Sequence, residues 1–139
     1  MVAKYQTGSK WISSIDVHPG GDNFIIGTYD KKIHWFDMDM GGEAPYKTMK
    51  YQDKAIRHVN FSQKWPLFAS ASDDGTVNVF YGMVYNDLLQ NALVVPLKIL
   101  NAHKQPSSGS SLGAMQCVWH PNQPWLFTSG ADGCIKMWV

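Results

Sequence analysis

IDVHPGGDNFIIGTYDKKIHWF (Ile15–Phe36), VNFSQKWPLFASASDDGTVNVF (Val59–Phe80) and CVWHPNQPWLFTSGADGCIKMW (Cys117–Trp138) superpose on one another without a gap. Self-similarity of this length means that each copy is one structural unit burying its apolar faces against its neighbours. Every copy has the same plan: a short strand, a polar turn, a second apolar strand, an Asp-centred turn, and a third strand ending in an aromatic. That plan predicts a meander of short antiparallel strands. Asp74-Gly75 and Asp132-Gly133 are hairpin signals, since tight primed turns need φ > 0, which Gly accepts without steric cost. The first copy reads Asp30-Lys31-Lys32 there, and without the Gly its turn is expected to be looser or of another type. Beyond the turns, Val77 and Val79, then Ile135 and Met137, alternate as a strand with two differently packed faces requires.

The second copy follows the first at the spacing of a propeller blade, about 40–45 residues. The third comes later, by the length of one enlarged connection. Outer strands are expected in the connections, at Tyr46 to Tyr51 and Val95 to Leu100, with Val2 to Gln6 a weaker candidate. The expected fold is all-β with about twelve strands and little helix, an incomplete propeller of about three four-stranded antiparallel blades from a ring of roughly seven. The units run approximately over 11-51, 55-100 (with an insertion at 81-94) and 103-139.

This pattern resembles the WD-repeat family. The family ties a blade together with a His before the first strand, a Ser or Thr in the second, the turn Asp, and a Trp in the third. By that resemblance the third copy supplies the whole set as His103, Thr128, Asp132 and Trp138. The second copy has Ser70 and Asp74, with Phe80 for Trp and no His in YQDK. The first has Asp30, with Ile26 and Phe36 at the other places. Buried imidazole, carboxylate and indole N–H groups cost free energy unless they pair, and here they pair with each other. The same composition imitates a Thr-His-Asp catalytic triad. Recurrence at repeat positions that build blades argues for a structural role, and no nucleophile-elbow, zinc-protease or nucleotide-binding motif accompanies it.

The stretch between the second and third copies, YGMVYNDLLQNALV (Tyr81–Val94), is the least repeat-like. With FYGMVYNDLLQNALVVPLKIL, KWISSIDVHPGGDNFIIGTYDKKIHWFD and PLFASASDDGTVNVF together, the chain from about Lys10 to Val139 resembles the C-terminal end of the Block of Proliferation family of ribosome-biogenesis proteins. Members of that family are larger, with a long N-terminal region ahead of the propeller, of which these would be the last three blades. The resemblance implies a non-catalytic scaffold in large-subunit assembly, needed for maturation of the large-subunit and 5.8S ribosomal RNAs in the nucleolus and nucleoplasm. The implied partners are a pescadillo-type BRCT protein, a second WD-repeat protein, the pre-ribosomal particle and its rRNA. A different class remains open: a WD-repeat module that reads a peptide in signalling or ubiquitin transfer.

From the residues themselves, the insertion suggests a short helical turn with Asn86 as N-cap and Tyr85, Leu88, Leu89 and Ala92 on one side. Pro96 then returns the chain to extended form. Such a face either packs on the rim or, with Tyr85, Asn86, Asp87, Leu88 and Leu89, binds a partner. Lys31, Lys32, Lys47 and Lys50, beside Tyr46 and Tyr51, are candidates for an RNA-backbone patch; a solvated blade edge is the alternative. The net charge is only +1, so any such contact must be local. KQPSSGSSLG (Lys104–Gly113) reads as a flexible loop.

Asp16, His18 and Asp22 invite a metal reading, but HPGGD is turn chemistry repeated as HPNQP at His120, and no metal or cofactor is expected. Cys117 and Cys134 match no zinc spacing and read as reduced, small core residues. With 45 % hydrophobic and 13 % aromatic residues the chain can bury a core. The longest aliphatic run, Ala92 to Leu97, is too short to span a bilayer and contains Pro96, so no membrane association is expected. An arc of three blades leaves two open faces, so it is expected either to self-associate, with Val2 to Gln6 as a strand to exchange, or to be marginally stable.

Overall fold

In the first copy the inner strand β1 (Ile12–Val17) is followed by β2 (Asn23–Thr28), β3 (Ile33–Asp37) and the short outer strand β4 (Lys47–Met49). The second repeats this as β5 (Ile56–Phe61), β6 (Leu67–Ser72), β7 (Thr76–Met83) and β8 (Leu93–Asn101). The third comprises β9 (Ala114–Trp119), β10 (Leu126–Gly130) and β11 (Ile135–Trp138). The computed structural model describes residues 1–8, 11–87, 90–106 and 111–139. Each copy is one antiparallel sheet with its strands in chain order, and the sheets are joined through their first strands, β1 against β5 and β5 against β9. Inner strands side by side with sheets radiating outward are three consecutive blades of a propeller.

The blades meet face to face. Ile25, Ile33, Trp35 and Met49 of the first blade pack on Val59, Phe61, Phe68 and Phe80 of the second. Ala69, Ala71, Val77 and Leu100 of the second pack on Cys117, Trp119 and Leu126 of the third. Burying each large side chain in these seams stabilises the arc by about 1.5–3 kcal/mol. Phe24, Ile26 and Phe36, on the outward face of the first blade, are covered in part by Tyr5 and Met38. The rest of that face stays open at Trp11, Ile12, Ile15 and Val17, as does the opposite end of the arc at Val118, Ile135 and Met137.

Several expectations change. Val2 to Gln6 forms no strand: Tyr5 sets its ring edge-on to Phe24 and Phe36, and Gln6 N–H donates to the Glu43 carbonyl. The described strands therefore number eleven. The first hairpin is not looser, because Lys31 adopts φ 73°, matching Gly75 at 87° and Gly133 at 78°. Its N–H bonds the Thr28 carbonyl as those of Gly75 and Gly133 bond Ser72 and Gly130, so an exposed Lys bears a left-handed conformation that costs roughly 1 kcal/mol or more. The insertion is ladder at its two ends: Tyr81–Met83 and Leu93–Val94 prolong β7 and β8, Met83 pairing with Leu93. Among the described connecting residues the Gln90 N–H donates to the Asp87 carbonyl at 3.0 Å, and no helix is present. Leu88 and Leu89 lie outside the described residues. Cys117 is buried, but Cys134 is exposed, since it stands on the Asp132-Gly133 turn of an edge strand.

Candidate functional site

Four side chains from four segments meet in the third blade. His103, just after β8, holds Asp132 of the β10–β11 turn with Nδ1 to Oδ1 at 3.0 Å and Thr128 of β10 with Nε2 to Oγ1 at 2.9 Å. The Trp138 indole N–H donates to the same Thr128 hydroxyl at 3.1 Å. One consistent polarity runs through the set: indole N–H to the Thr oxygen, Thr O–H to Nε2, Nδ1–H to the carboxylate. Desolvation raises the Asp132 pKa, but the Cys134 N–H, the His103 ring and the Lys104 N–H outweigh it and hold the carboxyl below its usual range. Thr128 is only 1 % exposed and already accepts the indole proton, so a substrate carbonyl has no path to it. Close packing fixes the imidazole: a Cβ at Gly130 would lie 2.3 Å from the His103 ring, and one at Gly75 would lie 2.1 Å from the His103 carbonyl oxygen.

The second blade builds the same knot from different residues. Gln52 occupies the place of the His: its Oε1 accepts from Ser70 Oγ, and its Nε2 donates to the carbonyls of Ser70 and Thr76 at 3.3 and 3.1 Å. Asp74 caps the turn through the Thr76 N–H at 2.8 Å and accepts the Asp53 N–H at 2.9 Å. Phe80 has no N–H to contribute and stacks on Phe68, with centroids 4.7 Å apart. In the first blade Phe36 stacks on Phe24 in the same way at 4.8 Å, beside Ile26, while Asp30 accepts from Thr28 Oγ1. Where the third strand ends in Phe, its neighbour on the second strand is also Phe, and stacking stands in for the hydrogen bond. Sequence reasoning missed Gln52 because the Ser/Gly-rich loop lengthens the path from His103 to Thr128 and hides the correspondence.

A second repeated set, not anticipated, stitches the inner strands together. Asp16 Oδ2 accepts the Phe61 N–H at 2.7 Å and the Asn60 amide at 3.1 Å, and Asn60 Oδ1 accepts the Trp119 N–H at 2.9 Å. Two residues earlier, Ser14 Oγ accepts the Val59 N–H at 3.2 Å, and His58 Nδ1 lies 3.0 Å from the Cys117 carbonyl oxygen. Asp16 and Asn60 are the same repeat position, and a polar residue recurring there was the available signal. The third copy has Val118 at this place, which ends the series. Asp16 is thus a seam residue. His18 accepts the Gly20 N–H at 2.9 Å and His120 the Asn122 and Gln123 N–H groups at 3.1 and 3.0 Å, so both imidazoles serve their turns. Desolvation lowers the His18 pKa against the opposing pull of Asp22.

The remaining candidates separate. Lys47 turns its ammonium to the Val94 carbonyl at 3.2 Å, tying the first blade to the insertion, whereas Lys50 is exposed just past the end of β4. Lys32 pairs with Asp30 at 3.7 Å, and Lys31 stays exposed on the turn. Lys47 is thus engaged with the insertion, apart from the exposed Lys31 and Lys50. Tyr85, Asn86 and Asp87 overhang the rim of the first blade, lining with Asp22, Asp37 and Asp39 an acidic cleft of 320 Å³.

Comparison with known proteins agrees with this geometry. The family model for "WD domain, G-beta repeat" matches residues 2–37, 44–80 and 95–139. A "Ribosome biogenesis protein BOP1 homolog" of Monosiga brevicollis is 55 % identical over 139 residues, 100 % of this chain and 17 % of the relative. "Ribosome biogenesis protein ERB1" of Malassezia globosa is 52 % identical, with 100 % of this chain and 16 % of the relative covered. Its namesake in Saccharomyces cerevisiae is 47 % identical, with 100 % and 17 % covered. The chain spans about a sixth of the length of these relatives. Three meanders with radiating sheets, inner-strand seams and the His-Thr-Asp-Trp knot place this chain in the WD-repeat family, and over its whole length it is similar to the BOP1 and ERB1 ribosome biogenesis proteins.

Proposed function

We propose that the chain serves as part of a non-catalytic scaffold for assembly of the large ribosomal subunit. The observation that carries this reading is 55 % identity across 100 % of the chain to a protein named for ribosome biogenesis. Two features of the molecule support it. The polar side chains with enzyme-like composition are engaged in holding blades, and the blade rims offer extended surface, the usual equipment of repeat scaffolds. In this reading the scaffold works in the nucleolus and nucleoplasm, within a trimeric complex with a pescadillo-type BRCT protein and a second WD-repeat protein, on particles whose large-subunit and 5.8S rRNAs are maturing.

A segment exchange tests it. The 139 residues replace the matching stretch of the Saccharomyces cerevisiae ERB1 protein in cells depleted of their own copy. Restored growth, normal 5.8S maturation and co-sedimentation with pre-ribosomal particles are expected. A chimera that accumulates to normal level yet leaves rRNA precursors unprocessed overturns the proposal.

A further inference from the structure

The outer strand of the second blade has an open edge. β8 is nine residues long and, among the described residues, pairs on one side only, with β7. Near its start the Ala92 and Val94 carbonyls are held by Tyr46 Oη at 3.0 Å and Lys47 Nζ at 3.2 Å. The open edge therefore runs from Val95 to Asn101. An unpaired, largely apolar edge of this length is a template for another strand. Pro96 lies within it and, lacking an N–H, suits an edge position alone.

The register supplies a pocket beside that edge. Val79 pairs with Lys98 but Phe80 with Pro96, so Leu97 is an extra residue, a bulge that re-aims the side chains around it. Leu97 and Ile99 are 55 % and 62 % exposed. With Tyr51 they rim a groove of 420 Å³ between the first and second blades, which Asn78 also lines. Asn78 is 3 % exposed, and its Oδ1 has no hydrogen-bond partner. The repeat explains why. At the same position in the first blade, His34 Nδ1 lies 3.0 Å from Thr48 Oγ1, but the residue facing Asn78 across the ladder is Ile99, which has no hydroxyl. A buried amide oxygen without a donor is rare in folded proteins, because the lost hydration is not replaced. Lys98 is the one charged residue of β8, so the groove has a cationic rim and an apolar wall.

We propose that this groove docks an extended segment of a partner protein, an acidic and aliphatic peptide that adds as a strand to the open edge of β8. Its aliphatic side chain lies over Leu97, Ile99 and Tyr51, a donor side chain reaches Asn78 Oδ1, and a carboxylate faces Lys98. Strand addition supplies affinity through the main chain, and the pocket supplies selectivity. The proposal rests on the scaffold reading only in naming a partner polypeptide as the occupant.

The probe is a random peptide library displayed on phage and panned against the full 139-residue chain. Enrichment of sequences alternating aliphatic with acidic residues and carrying one Ser, Thr, Asn or Gln as donor is expected, together with slowed amide exchange over Val95–Asn101 in their presence. Ile99→Thr gives Asn78 the hydroxyl that Thr48 gives His34. This variant should keep or raise the thermal midpoint while weakening the selected peptides about tenfold, the loss of roughly one hydrogen bond. Lys98→Glu, a surface change, should abolish the preference for acidic peptides. Equal enrichment on the Ile99→Thr chain, protection of some other strand, or self-association through β8 seen by sedimentation each overturns the proposal. A failed segment exchange in cells with peptide binding intact would instead remove the ribosomal reading and leave this one.

Discussion

Thr128→Val isolates the hydroxyl at the centre of the third blade's knot. Valine keeps the shape and the β-branched preference for a strand, so the substitution opens no cavity, and the change in stability reports hydrogen bonding alone. Two groups lose a partner: His103 Nε2 at 2.9 Å and Trp138 Nε1 at 3.1 Å. The His103 side chain is wholly buried, so its nitrogen bears the full desolvation penalty, about 1–3 kcal/mol. Trp138 is only partly buried, so its N–H recovers some hydration and contributes about 1 kcal/mol. The expected loss is about 2–4 kcal/mol, a large part of the ~5–15 kcal/mol that holds a domain folded. Urea unfolding followed by far-ultraviolet circular dichroism measures it. Trp138→Phe and the double variant complete a cycle whose coupling should be near 1 kcal/mol, since the two residues share one bond. A loss under about 0.5 kcal/mol, or full additivity of the two changes, would refute the account of the knot as a stabilising network.

Asn60→Leu should cost about 2 kcal/mol, because it leaves the Trp119 N–H unpaired and removes one bond from Asp16 at the inner seam; faster amide exchange localised to β9 checks it, and unchanged exchange there would contradict the stitching role. Thiol labelling of the folded protein should modify Cys134 alone, since burial pushes the Cys117 thiol far above its ordinary pKa, and denaturant should release the second equivalent. Burial lowers the pKa values of His18, His34 and His58 below the ordinary 6.5. The folded state then binds fewer protons than the unfolded chain, so stability should be full above pH about 6.5 and decline as pH falls from there toward the lowered values. His58→Gln should flatten that decline, and an unchanged urea midpoint between pH 7.5 and 5.5 in the parent would count against it.

Most of the architecture was legible because a repeat reports itself. Three superposable copies and the Asp-Gly turns, Asp74-Gly75 and Asp132-Gly133, specify meanders, and the apolar alternation specifies which faces meet. Local chemistry was harder to read wherever a position was occupied by an unusual residue. Lys31 shows the limit: nothing local favours a left-handed Lys, and the hairpin takes that form because β2 and β3 must reach the same register as their counterparts. Likewise Gln52 became visible as the substitute for His103 only when the sheets were superposed in space.

The sequence by itself determined the class and the blade count, because these follow from periodicity, while the membership of His103, Thr128, Asp132 and Trp138 in one set came from the resemblance to the WD-repeat family. Tertiary structure alone decided what happens between copies. Asp16 accepts the Phe61 N–H 45 residues on and Asn60 the Trp119 N–H 59 residues on, each in the next blade, and Tyr46 and Lys47 reach the Ala92 and Val94 carbonyls 46 and 47 residues on. It also decided that both ends of the insertion extend a ladder, and that Ile99, brought opposite Asn78 by the bulge at Leu97, offers it no donor. Such outcomes depend on inter-strand register and on the distance between neighbouring sheets, quantities that the order of residues along one strand does not contain.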